Sequence, residues 1–104
     1  MITPTQQKQV DARVERGIKW LNKTVPNWHK KITITKLKMA NSSTCICGQV
    51  FGHFREAELS GGEALTRGFD VSSSAWYVNS GEYYNALEVT WKNRIREIRK
   101  ALKK

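Results

Sequence analysis

The chain has 104 residues, 39% of them hydrophobic and 10% aromatic with four tryptophans, which excludes a disordered polyelectrolyte and leaves room for one modest core. Eighteen Lys and Arg against nine Asp and Glu leave a net charge of +9, so the expected partner is negatively charged. No run approaches the roughly 20 apolar residues of a membrane helix, and the start MITPTQQKQ lacks the charged-then-apolar order of a secretory signal, so a cytoplasmic protein is expected.

Thr3-Pro4-Thr5-Gln6 has the form of a helix start, with a capping hydroxyl, proline at the first position and glutamine three residues after the cap. Val10, Val14, Ile18, Leu21 and Val25 then recur at three- and four-residue spacing, predicting one apolar stripe with Lys8, Arg16, Lys19 and Lys23 opposite it. Gly17 borders the stripe and predicts a close approach by another element, and Pro26 ends the helix.

Asn27 reads as the cap of a short turn through Trp28, and Ile32-Thr33-Ile34-Thr35 alternates as a short strand would. Asn41 to Thr44 is a loop rich in capping residues, followed by a short buried helix within Cys45 to Phe54. Ser60-Gly61-Gly62 is a break. Glu63 to Arg67 is a helical turn closed by Gly68 in the left-handed conformation, with Phe69 folding back. Asp70 to Gly81 is the most loop-like stretch, with Ala75 to Val78 read as an aromatic-anchored loop in preference to a strand. From Ser80, Leu87, Trp91, Ile95, Ile98 and Leu102 form a second helical stripe, with Lys92, Arg96, Arg99, Lys100, Lys103 and Lys104 on the opposite face. Mainly α architecture follows: a single-domain helical bundle over residues 1–104, with long amphipathic first and last helices packed across the Cys45 to Phe54 segment and a minor β-hairpin allowed.

Charge is uneven along the chain. Residues 1–38 carry nine Lys and Arg against Asp11 and Glu15; residues 39–91 carry only Arg55 and Arg67 against six acids; residues 92–104 carry seven bases against Glu97. Two basic ends around an acidic middle form either an electrostatic footprint for a polyanion or ends that pair with the centre.

The string RVERGIKWLNKTVPNWHKKI from Arg13 to Ile32, then Leu37, Met39, the run Cys45-Ile46-Cys47-Gly48-Gln49-Val50-Phe51-Gly52, Arg67-Gly68-Phe69-Asp70, and Leu87 four before Trp91, resembles small proteins of phages and prophages of Gram-positive bacteria. Most of the chain takes part in the pattern, and Ala75 to Glu82 looks like an expansion of it. The resemblance implies a phage setting and brings no activity to carry over.

Four candidate chemistries remain. Cys45 and Cys47, with His29 and His53, offer the donor set of a tetrahedral zinc site, although a one-residue spacer is shorter than metal motifs use; small buried apolar thiols are the plainer reading. A cysteine at a helix start with a histidine near it is the one nucleophile to consider, but no phosphate loop or motif-flanked carboxylate pair accompanies it, and a non-enzyme without cofactor is expected. Gln49, in a glycine-rich apolar turn, either fixes neighbouring backbone or contacts a ligand in a pocket closed by Trp28 and Phe54. The basic faces stand out most. Lys19, Lys23, Lys30, Lys31, Arg96, Arg99, Lys100 and Lys103 are the expected contacts to phosphate, with Trp20, Trp76, Tyr77, Tyr83 and Tyr84 available to stack on bases.

The expectation is a phage-type accessory protein in the host cytoplasm, binding nucleic acid or a nucleic-acid-bearing host machine such as an RNA-guided nuclease. One alternative is sequestration of a phosphorylated signal nucleotide of host defence. Another is protein–protein inhibition through the acidic middle or an apolar patch.

Overall fold

A computed structural model describes residues 3–70 and 80–102. The Ala75 to Val78 segment, Trp76, Tyr77 and Lys103 lie outside them. Four α-helices occupy the described residues: α1 Pro4–Thr24, α2 Ile46–Phe51, α3 Gly61–Thr66 and α4 Ser80–Leu102. Short 3-10 turns at Trp28–Lys31, Ile34–Lys36 and Phe54–Ala57 link them.

The first helix begins as its sequence predicts. Gln6 N donates to Thr3 Oγ1 at 3.1 Å and Thr3 N donates to Gln6 Oε1 at 2.8 Å, so two of the orphan N–H groups of the first turn are satisfied reciprocally. Val10, Val14, Gly17, Ile18 and Leu21 form its buried face. Pro26 biases Val25 toward extended backbone (φ −136°, ψ 80°), and Asn27 then turns the chain through a left-handed conformation at φ 68°.

No strand forms at Ile32 to Thr35; among the described residues there is no strand at all. The reason is local and specific. The Gln49 side chain accepts from Thr33 N at 2.6 Å and donates to Thr33 O at 3.3 Å, taking the two backbone groups that a partner strand would have paired. Its amide also donates to Thr44 O at 2.9 Å, tying the segment to the loop before α2. Ile32 is buried and Ile34 partly so, and Ile34–Lys36 closes as a 3-10 turn.

Helix α2 is capped by a thiol, with Gly48 N donating to Cys45 Sγ at 3.2 Å. Helix α3 starts two residues before its expected first position, because Ser60 and Glu63 make a second capping box. It ends in a Schellman motif: Phe69 N donates to Ala64 O at 2.8 Å and Gly68 N to Leu65 O at 3.2 Å, with Gly68 at φ 71°. Any side chain at Gly68 would pay for that conformation and would press on the α1 backbone at Arg13 and Val14.

The core is organised on Trp91. Its indole stacks on Phe69 (5.6 Å between centroids, 12° between planes), meets Trp28 edge-on at 5.8 Å, and donates to Gly68 O at 2.7 Å. Gly17 is where α1 slides over this group: a Cβ there would lie 2.2 Å from Arg67 O and 2.9 Å from the Trp91 ring. Leu87, Trp91 and Ile95 are buried as the α4 stripe predicts and Ile98 is partly buried, but Leu102 is 63% exposed. The stripe is longer than the core beneath it, so its last member extends past the chain that could cover it.

Gly17→Ala is expected to lower stability by about 1–3 kcal/mol, the usual cost of overpacking, because the obstacle is backbone and an indole held by its own hydrogen bond. Urea unfolding followed by tryptophan fluorescence measures it; an unchanged midpoint would mean that α1 does not sit this close to Arg67.

Candidate functional site

The two long helices run in the same sense, since their contacts rise together along both. Gln7 Nε2 donates to Thr90 Oγ1 at 3.1 Å, and further along Arg94 donates to Glu15 at 2.5 and 3.1 Å. Both C-terminal turns therefore lie toward one end of the molecule. Arg94 also reaches Glu97 at 3.5 Å, so Glu15 and Glu97 are held by a cation between the helices.

Internal pairing sorts the cations into two sets. Arg94 belongs to the seam. Lys38 and Lys92 share Glu88 at 3.7 and 3.4 Å, and Arg67 pairs with Glu63 at 3.1 Å while its guanidinium covers the Trp20 ring at 5.4 Å. Arg16 Nε donates to Thr66 O at 2.9 Å and so fastens α1 to α3. The Glu63 carboxyl is held below its usual range by the Ser60 backbone N–H first and by Arg67 second.

The second set is free of carboxylates. Lys19, Lys23, Lys30, Lys31, Arg96 and Lys100 are exposed, and among the described residues none has an acidic partner within 4.0 Å. Lys19 and Lys23 are one turn apart at the end of α1, and Arg96 and Lys100 are one turn apart at the end of α4. They flank the α1–α4 seam from its two sides. Lys30 and Lys31 sit on the turn that continues α1, and that turn packs against α4. Lys8, Lys36 and Arg55, exposed and equally without an acidic partner among the described residues, are not among the expected contacts; Lys8 is about three turns from Lys19, toward the opposite end of α1. Two parallel helices bring two partly negative C-terminal ends together, so part of this basic surplus offsets the helix dipoles.

Arg99 differs from its neighbours. Its Nη2 donates to His29 O at 2.6 Å and to Ile32 O at 2.5 Å, closing the end of the Trp28–Lys31 turn and fixing it on α4. This is a positioning role within the fold. The sequence hint is its place beside the buried stripe, next to Ile98 and four after Ile95, where a long side chain reaches inward along the protein surface.

Other candidate residues are occupied or apart. Trp28 is fully buried with its Nε1 donating to Asn22 Oδ1 at 2.9 Å, the Gln49 amide is bonded to Thr33 and Thr44, and partly buried Phe54 begins a separate 3-10 turn. Among the described residues no three His, Cys, Asp or Glu side chains gather to hold a metal ion, so Cys45, Cys47, His29 and His53 do not come together as a donor set. His53 Nδ1 accepts from Arg55 N at 3.1 Å as a cap. Both thiols are buried, and desolvation pushes them up, Cys47 furthest, which is the reverse of what a nucleophile needs.

His29 is the buried titratable group at this end. It is 8% exposed, its Nδ1 has no hydrogen-bond partner among the described residues, and burial first, then Lys30 and Arg99, hold its pKa below the ordinary value. The folded protein thus disfavours the protonated ring while the unfolded chain takes the proton at about pH 6.5. The contribution is complete above that pH and is lost as the pH falls through it.

Two outcomes follow. Urea midpoints of the wild type should fall between about pH 7.5 and 5 more steeply than those of His29→Gln; parallel slopes would remove His29 from the acid response. Arg99→Ala should cost about 1–3 kcal/mol in the same assay, since it leaves two carbonyls without a charged donor, whereas Lys100→Ala should stay within about 0.5 kcal/mol. No protein-family model, curated protein or solved structure matches the chain, so the reading of this surface rests on its own chemistry.

Proposed function

We propose that the protein is a non-catalytic binder of phosphate-bearing polymers, nucleic acid in the first place, acting through the basic end formed by α1, the Trp28–Lys31 turn and α4. The observation that carries the reading is the sorting of charge: among the described residues Glu15, Glu63, Glu88 and Glu97 pair with Arg94, Arg67, Lys38 and Lys92, while Lys19, Lys23, Lys30, Lys31, Arg96 and Lys100 face outward without carboxylates. Such cations displace condensed counterions from a phosphate backbone, and that release supplies affinity without demanding a sequence. The phage-type accessory role comes from the resemblance alone, and its direction toward host nucleic acid or a nucleic-acid-bearing machine such as an RNA-guided nuclease comes from the charge. Contact through the acidic middle has less support, because Glu63 and Glu88 are already engaged internally.

Binding to labelled DNA and RNA should weaken steeply with salt, with a log–log slope of about −4 to −5 if all six cations meet phosphate. Lys19→Gln with Lys23→Gln, and Arg96→Gln with Lys100→Gln, should each make the slope shallower by about 2 while leaving the melting temperature in place. A flat salt response, or variants that bind as the wild type does, would overturn the assignment.

A further inference from the structure

One feature of the basic end is not explained by phosphate contact. A groove of about 380 Å³ opens between the Trp28–Lys31 turn and the end of α4, lined by His29, Lys30, Arg99 and Leu102. Its volume is in the range of small-molecule sites, which run to roughly 300–1,000 Å³. Its wall is mainly apolar, and Leu102, 63% exposed, is one of two large hydrophobic side chains left open to solvent, with Val89, among the described residues.

We infer that this groove seats an unstacked base of a single-stranded nucleic acid, with Lys30, Lys31 and Lys100 taking the phosphates on either side. The inference rests on the polyanion reading above and narrows it to one form of the polymer. Three observations carry it. The lining has no carboxylate and two cations, so the occupant is anionic or flanked by anions. Arg99 lines the groove with its Nη2 on two backbone carbonyls, which immobilises the guanidinium, and a guanidinium fixed in advance stacks on a base with little further loss of side-chain freedom. Leu102 supplies the apolar contact that a flat ring wants and a phosphate does not. A duplex keeps its bases stacked on one another and offers this end only its backbone, so it meets the lysines and leaves the groove empty.

The test compares a labelled DNA strand of about ten nucleotides, its RNA counterpart and the same strand annealed to its complement, by anisotropy at matched salt. Single strands should bind about tenfold more tightly than the duplex. Leu102→Ser should bring them toward the duplex value with the salt slope and melting temperature unchanged, whereas Lys19→Gln with Lys23→Gln should weaken both forms alike. Equal affinity for strand and duplex, with Leu102→Ser inert, would overturn the groove and leave the polyanion reading standing. Failure of both forms to bind in a salt-dependent way would instead remove the reading beneath it. Displacement of the strand by adenosine monophosphate at comparable concentration would also overturn it, in favour of a free nucleotide as the occupant.

Discussion

The fold depends on how one indole is seated. Trp91 reaches from α4 into the space under α1, lies flat on Phe69, touches the Trp28 ring edge-on, and donates its N–H to the carbonyl of Gly68. An indole brings a large apolar area to a core only if its one donor finds an acceptor, and here the acceptor is supplied by the turn that ends α3. The same turn exists because Gly68 adopts a left-handed conformation, and it fits under α1 because Gly17 has no side chain. Three helices meet at this point.

That seating also decides where charge goes. With α1 and α4 side by side and running the same way, their basic last turns share one end of the molecule, and the turn after α1 is drawn onto α4 by Arg99. Parallel helices add their dipoles unfavourably, and lysines and arginines at the C-terminal turns relieve this. A binding surface and a stabilising device can therefore be built from the same residues. Pairing separates most of them: a cation on a carboxylate of its own chain serves the fold and one facing water remains available to a ligand, while Arg99, fixed on two carbonyls, also lines the groove.

Much of the helical layout was legible because it rests on local rules. The Thr3 to Gln6 capping box, Pro26 as a stop, Gly68 with Phe69 as a helix end, and the stripe from Val10 to Leu21 all follow from backbone donors that need partners and from the 3.6-residue repeat. Ile32 to Thr35 read as a strand because alternation of β-branched residues is also a local signal. A strand, however, is completed by a partner far away in sequence, and at Thr33 a glutamine sixteen residues on took that place. Leu102 likewise matched the stripe, yet a stripe records only the spacing of apolar residues and not the extent of the surface that covers them.

The sequence by itself determined the helices, their ends and the excess of positive charge, since these depend on neighbours within a few residues and on a simple count. Only the tertiary structure decided that Arg99 would clamp two carbonyls while Lys100 beside it stays free, and that Arg16 would hold α3 while Lys19 does not. Adjacent cations of one helix are alike to any rule of composition or periodicity. What distinguishes them is a few ångströms of reach to an acceptor carried by a distant part of the chain, and that distance exists only once the helices have packed.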